Sequence, residues 1–394
     1  MVLKKAISLI LVLAFALGSF GVFASEGMPA EGDVIETAAG AGLQMDATAA
    51  ILVDSRTGTV LYEKNADEPR AIASITKVMT LILVMEALER GAIGLEDKVT
   101  ASEHAYSMGG SQIWLEPGEV MTVNELLKAV CVASANDAAV ALAEYVSGSE
   151  DEFVAEMNRK AQSLGMTKTT FKNSNGLDEE GHMSSAHDVA LMSREILKHE
   201  LIRNYITIWT DELRGGETEL TNTNKLLKSY NGITGIKTGT TNKAGVCVTA
   251  SAVRDNMELI AVVLGSSDSK SRFEAAKTML NYGFSNYELV EIKVDDALFT
   301  PVEVECGESQ FCEYTAAIPE CMVVKKGAGE NIRYEVSIEP SVEAPVLSGQ
   351  TVGRVTVFCG ENELGGYDVT AKTDIRKIDF KIGWGLLFNA LTNM

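Results

Sequence analysis

The sequence predicts an α+β fold: one antiparallel sheet with helices packed on it, followed by a small β-sandwich domain. Three observations carry that expectation. Strand-like runs bracket a long stretch of helical patterning, the texture becomes β-rich after Gly232, and short apolar strands alternate with turns from about Glu288 onward.

In order along the chain, Ala49 to Asp54 and Thr59 to Glu63 read as two strands joined by the turn-forming Ser55-Arg56-Thr57-Gly58. A helix is expected from Ser74 to Gly91. Its Val78 to Leu88 run is apolar almost all round, as in a helix buried on every side. The segment from His104 to Glu119, with Gly109-Gly110, Trp114 and Pro117-Gly118, is irregular. Helices are expected at Val123 to Val132, Asp137 to Val146 and Ser185 to His199. Ile233 to Lys237, Val246 to Val253 and Met257 to Leu264 form an antiparallel meander, closed by a helix from Ser269 to Asn281. The sandwich strands are Leu289 to Val294, Thr300 to Val304, Met322 to Val324, Arg333 to Ile338 and Gly353 to Phe358.

The two ends read differently. Lys4 and Lys5 precede an apolar stretch from Ala6 to Ala16, and Val22-Phe23-Ala24 offers small residues to a signal peptidase. The stretch is short for a membrane span, so residues 1–24 are expected to be a signal peptide cleaved after Ala24, and the protein to work outside the cytoplasm. The organisation is then a domain over 25–287, a β-rich domain over 288–374 and a tail over 375–394. The tail carries Phe380, Ile382, Trp384, Leu386, Leu387, Phe388 and Leu391 beside Lys377 and Lys381. It suits an amphipathic helix lying on a membrane surface, or a last segment packed on its own domain.

The net charge of −21, which becomes −23 without Lys4 and Lys5, excludes the basic surface that nucleic acid requires. Of six cysteines, Cys131 and Cys247 lie in apolar runs and read as buried small hydrophobes. Cys306, Cys312, Cys321 and Cys359 could pair as disulfides in an exported chain, with three connectivities open. The four histidines, His104, His182, His187 and His199, form no metal-binding pattern, and no cofactor or catalytic metal is expected.

Ser74-Ile75-Thr76-Lys77 is the informative tetrapeptide. A lysine one turn into a buried helix costs several kcal/mol if charged and unpaired, and Glu86 is too far along to pair with it. At i and i+3 the lysine amine reaches the serine hydroxyl, and burial makes the amine a usable base. Two further elements follow in order: Ser134-Ala135-Asn136 in a break between helices, and Lys237-Thr238-Gly239 on the first meander strand. Taken singly, Ser134 reads as a helix cap and Lys237 as an edge-strand lysine. Together the three describe acyl transfer. Ser74 attacks a carbonyl and Lys77 takes its proton. Ser134 relays a proton, Asn136 holds a substrate amide, and Lys237 attracts a carboxylate. Gly239 lets substrate lie along the strand as an added strand.

On Ala71-Ile-Ala-Ser-Ile-Thr-Lys77, Ser134-Ala-Asn-Asp-Ala138 and Gly235-Ile-Lys-Thr-Gly-Thr-Thr-Asn-Lys-Ala-Gly245, the chain resembles the low-molecular-mass penicillin-binding proteins that act as serine-type D-alanyl-D-alanine carboxypeptidases. The resemblance implies acylation of Ser74 by the terminal D-Ala-D-Ala of a peptidoglycan stem peptide, release of D-Ala, and hydrolysis. β-Lactams would be covalent inhibitors. It also implies an oxyanion hole from the N–H groups of Ser74 and Thr240, and a carboxylate-binding Arg272 within Ser269-Lys-Ser-Arg-Phe273. It implies a β-rich second domain and a membrane-surface tail as well. A β-lactamase would need a Glu-x-x-Leu-Asn string between Asn136 and Lys237, which is absent. An endopeptidase acting on cross-links uses the same residues, and a non-catalytic wall-binding scaffold has no reason to retain them.

Overall fold

The computed structural model describes residues 43–380 together with 383, 384 and 392. The expected signal peptide and most of the expected tail lie outside the described residues.

The first strands are Ala49–Asp54 (β1) and Val60–Lys64 (β2). A tight 3-10 turn, Ala73–Thr76, leads into Lys77–Glu89 (α1). A small hairpin, Lys98–Thr100 (β3) and Val120–Thr122 (β4), encloses Glu103–Tyr106 (α2). Val123–Lys128 (α3) passes through a π-helical turn at Ala129–Ala133 into Asn136–Ser147 (α4). Glu150–Ser163 (α5), Ala186–Ile196 (α6) and Arg203–Ile206 (α7) follow. A second hairpin, Thr210–Leu213 (β5) and Thr218–Thr221 (β6), precedes the short Leu226–Ser229 (α8). The meander is Ile233–Thr241 (β7), Gly245–Arg254 (β8) and Met257–Ser266 (β9), and Ser269–Asn286 (α9) closes the unit.

These strands make one antiparallel sheet in the order β2-β1-β9-β8-β7, with β7 at an edge. Strand β1 is buried at every residue because both of its faces are covered. Ala49, Ile51 and Val53 join the core under α1 and α6, while Ala50 and Leu52 join the core under α9. That explains its unbroken apolar sequence. Helix α1 is apolar all round for the same reason, being enclosed by the sheet, α4, α5 and α6.

Helix starts follow side-chain capping. Thr122 and Glu125 form a capping box at α3, Ser185 accepts from Asp188 N–H at α6, and Asp268 accepts from Lys270 and Ser271 N–H at α9. Helix α5 was not expected, although Ser149 caps it and Glu150, Asp151 and Glu152 fill its first turn. Its Lys160 bridges Glu86 of α1 and Glu195 of α6 at 2.6 and 2.7 Å, so Glu86 has a partner other than Lys77.

Beyond α9, Tyr287–Glu291 (β10) pairs with Cys321–Lys325 (β14). Between them in sequence lie Val302–Glu305 (β11), Phe311–Cys312 (β12) and Tyr314–Ala316 (β13). Ile332–Ile338 (β15), Ser341–Glu343 (β16), Thr351–Cys359 (β17) and Asn362–Ala371 (β18) complete the unit. A β12-β11-β16 sheet faces a β13-β18-β17-β15 sheet across a core that includes Val302, Val304, Val346, Val352, Val355 and Val369. The sandwich expectation is met. The short strands β12, β13 and β16, and the glycine-interrupted β18, were not anticipated from the sequence.

All six cysteines are free thiols. Cys131 and Cys247 are buried as expected. The disulfides entertained for the other four are not formed. Cys312 sits in the sandwich core, Cys321 lies on β14, and the Cys359 thiol donates to the Ala328 carbonyl.

Because α1 is enclosed on every side, Ile82→Ala should lower unfolding stability by about 2–5 kcal/mol, read from urea denaturation. A change below about 1 kcal/mol would mean that the site helix is not held in a closed core.

Candidate active site

The 3-10 turn ahead of α1 places Ser74 half-buried at the surface of a cleft, with Lys77 fully buried behind it. The helix proper begins at Lys77, so the expected helical start at Ser74 becomes a tighter turn with Ala73 at φ +50°. Thr76 is tied down by His182. Lys172 N–H donates to His182 Nδ1 at 3.1 Å, which leaves Nε2–H to donate to Thr76 Oγ1 at 2.7 Å. Burial pushes that imidazole down to about 4, so it stays neutral.

Lys77 Nζ has three partners: Ser74 Oγ at 3.0 Å, Asn136 Oδ1 at 2.5 Å and the Asn175 carbonyl at 2.6 Å. The orientation of the Asn136 amide is fixed, because its Nδ2 donates to the Gly109 carbonyl at 2.6 Å. Two of the three neighbours of the lysine are therefore acceptors only. A neutral amine has two N–H bonds and one lone pair. With both N–H bonds given to Asn136 and Asn175, the lone pair faces the Ser74 hydroxyl. Burial, then the nearby Lys237 cation, hold the Lys77 amine well below the ordinary lysine range, against the opposing charge of Asp137.

Ser134 lies at the end of the π-helical turn in the left-handed region, φ +61°, an unusual conformation for a residue other than glycine. Its hydroxyl is buried and has no hydrogen-bond partner among the described residues. The cap position of α4 belongs to Ala135, without a side-chain bond, so Ser134 does not cap a helix. It does not bond Lys77 either; from this segment Asn136 supplies the bond to that amine. Asp137 behind them accepts from the Ile113 and Leu115 N–H groups and pins the preceding loop.

Strand β7 runs along the other side of the turn. Lys237 and Gly239 pair with Thr249 and Cys247 and share the helix-side face of the sheet, where Thr249 bonds Ser193 of α6. Lys237 is buried, unlike a solvated edge-strand lysine, and its Nζ contacts the Thr238 carbonyl at 3.2 Å. Burial, joined by repulsion from Arg272, brings this amine down to about 7, while Cys131 opposes the shift.

The need for Gly239 differs from the sequence reading. A Cβ there would lie 2.9 Å from the Ile72 carbonyl and 3.0 Å from Ser74 N, so the glycine admits the protein's own turn rather than only a substrate strand. Gly176 serves from the opposite side, at φ +87° and with a Cβ position 2.0 Å from the Ala73 carbonyl. Thr238 turns away and bonds Thr223 Oγ1 at 2.6 Å. Thr240 is exposed at the strand's end, and Arg272 of α9 donates to its Oγ1 at 3.3 Å and to the Gly239 and Cys247 carbonyls. Burial lowers the Arg272 guanidinium to about 10, still a cation at neutral pH.

The fold thus brings Ser74, Lys77, Ser134, Asn136, Lys237, Gly239, Thr240 and Arg272 into one region, and leaves the Thr238 side chain facing elsewhere. The segment Asn173–Gly176 was missed, because its contribution to Lys77 is a backbone carbonyl. The Asn175-Gly176 pair was the available turn signal. The arrangement suits a serine nucleophile, a neutral-amine base, and two cations for an anionic substrate end.

The family model for D-alanyl-D-alanine carboxypeptidase matches residues 35–268, and that for the penicillin-binding protein 5 C-terminal domain matches residues 287–377. The D-alanyl-D-alanine carboxypeptidase DacF of Bacillus subtilis is 46% identical over 342 residues, covering 86% of this chain and 88% of its own. Penicillin binding protein 5 from Haemophilus influenzae superposes with a TM-score of 0.78 at 29% identity, covering 85% of this chain and 99% of that one. Penicillin-Binding Protein D2 from Listeria monocytogenes, solved in its ampicillin-bound form, superposes with a TM-score of 0.57 at 32% identity over 62% of this chain and 99% of that one. With these matches, and with Ser74, Lys77, Lys237 and Arg272 gathered in one region, the chain belongs to the D-alanyl-D-alanine carboxypeptidase family.

Proposed function

We propose that the protein removes the terminal D-Ala from peptidoglycan stem pentapeptides through an acyl-enzyme on Ser74. The observation that carries this reading is the buried Lys77 amine, 3.0 Å from Ser74 Oγ and bonded to two acceptors, an arrangement that would turn the lone pair of a neutral amine toward the serine hydroxyl. In acylation Ser74 Oγ bonds the penultimate D-Ala carbonyl carbon as its proton passes to Lys77. The C–N bond then breaks, and the leaving D-Ala amine takes a proton by way of the Ser134 hydroxyl. Water completes the cycle by displacing Ser74. The Ser74 and Thr240 N–H groups form the oxyanion hole, and Asn136, with its second amide N–H, holds the stem-peptide amide. Lys237 and Arg272 receive the free carboxylate, while the Thr238 side chain, bonded to Thr223, takes no part. Binding of that anion favours the charged form of Lys237.

β-Lactams acylate the same serine and remain attached, since no Glu-x-x-Leu-Asn string supplies a fast deacylation base. The catalytic unit is residues 25–287, and 288–374 form the second domain. Residues 1–24 direct export to the cell-wall space, and the tail rests on the membrane surface. Support for the tail comes from Phe380 and Trp384, 87% and 63% exposed with rings stacked 6.4 Å apart. No helix among the described residues is long and apolar enough to cross a membrane.

Ser74→Ala should abolish both D-Ala release from a defined pentapeptide and covalent labelling by a fluorescent penicillin, with circular dichroism unchanged; surviving label would sink the mechanism. The pH profile of kcat/KM gives a second test. Below its folded pKa Lys77 carries a proton and cannot accept another, so the rate should fall about tenfold per pH unit on an acid limb far below pH 10.5. A limb at the ordinary lysine value would remove Lys77 as the base. A chain ending at Thr373 should stay in the supernatant when membranes are sedimented, and co-sedimentation equal to the full chain would refute the surface anchor.

A further inference from the structure

The Asn175 carbonyl that receives one N–H of Lys77 is held from below by a carboxylate on a different helix. Glu150, the first residue of α5, accepts from Ser174 N–H at 2.8 Å and from Ser174 Oγ at 2.6 Å through the same oxygen. Its other oxygen meets His104 Nε2 of α2 at 2.7 Å. The carboxylate is only 12% exposed, and Ser174 and Asn175 are buried.

Two consecutive carbonyls leave this clamp toward α1. The Ser174 carbonyl accepts from Thr80 Oγ1 at 2.5 Å and the Asn175 carbonyl accepts from Lys77 Nζ at 2.6 Å. Lys77 and Thr80 stand one turn apart on the same helix face. The loop is further stitched by Asn175 Oδ1, which accepts from Leu177 N–H at 2.9 Å, and by Asn173 Oδ1, which accepts from Gly176 N–H at 2.7 Å. Those local bonds set the turn's shape. Among the described residues, only Glu150 fastens its position to a separate helix through a charge-assisted pair of bonds.

We infer that Glu150 is a positioning residue for acyl transfer: by clamping Ser174 it keeps the adjacent Asn175 carbonyl on the Lys77 amine, so that the lone pair of that amine points at Ser74. His104 holds the second carboxylate oxygen and fixes which oxygen faces Ser174. The inference rests on the acyl-transfer reading of the cleft. The charged groups facing Lys77 itself are Lys237 from β7 and Asp137 from α4. Glu150 is one step removed, acting through Ser174 and Asn175.

Releasing the clamp lets the Asn173–Gly176 loop move off α1 and admits water to a lysine whose basicity is lowered chiefly by burial. Glu150→Ala should therefore slow penicillin acylation on the order of 10- to 100-fold per folded molecule, the scale expected for misplacing a reacting group. It should also move the acid limb of the pH profile to higher pH. Glu150→Gln retains an acceptor oxygen for Ser174 and should recover most of the rate. Folded fraction is taken from urea denaturation, so a loss of stability alone is separated from a loss of rate.

An unmoved or downward-shifted acid limb in Glu150→Ala, or full acylation rate per folded molecule, overturns the inference; so does a Gln variant as slow as the Ala variant. A titration of the Lys77 Cε resonance by NMR, compared between the wild type and Glu150→Ala, reads the same clamp without any turnover. If the wild type takes no penicillin label, the functional reading has failed. The NMR shift still decides whether Glu150 governs the environment of the lysine.

Discussion

Everything in the catalytic domain is arranged around one buried amine. A lysine with no exposure must be either paired with a carboxylate or neutral, since an uncompensated interior charge costs several kcal/mol. Burial and the neighbouring Lys237 cation push this amine toward the second course. Among the described residues no carboxylate bonds Lys77, and its partners are a hydroxyl, a side-chain amide oxygen and a peptide carbonyl from three separate parts of the chain. The turn before α1, the start of α4 and the loop before α6 must all be in place before the amine has its three contacts. Folding and assembly of the site are for that reason the same event.

Tight packing enforces the geometry from both sides of Ser74. Strand β7 touches the 3-10 turn at Gly239, and the Asn173–Gly176 loop touches it at Gly176, each so closely that a methyl group would collide with backbone. Ser74 is thus carried on a short irregular segment gripped between a strand and a loop. Left-handed backbone at Ala73 and Ser134 is tolerated because the surroundings leave these residues no alternative. Cations arrive from the far side: Lys237 on β7 and Arg272 on α9, the latter fastened by carbonyls of β7 and β8.

The acid-base character of the site follows from burial more than from pairing. Lys77, Lys237 and Arg272 all lose basicity chiefly to desolvation, and they repel one another. Charge along the site rises from the buried Lys77 amine, whose basicity is lowered, toward Arg272, which stays a cation at neutral pH.

Thr240 and Arg272 entered only through the family resemblance. The sequence alone determined the sheet, its meander and the buried character of α1, and singled out Ser74, Lys77, Ser134, Asn136, Lys237 and Gly239 as candidates for one site. Those are properties of side-chain type, spacing and periodicity, which a linear string records. It did not reveal helix α5, whose polar surface hides a narrow apolar stripe of Phe153, Met157 and Ala161. The short sandwich strands, which lack enough residues to establish a period, were equally hidden. Tertiary structure alone decided that Asn175 holds the lysine through its carbonyl, that Asn136 and not Ser134 bonds that lysine, and that Gly239 makes room for the turn. A backbone carbonyl has no residue signature, and a close approach between distant segments leaves no mark on either until the chain brings them together.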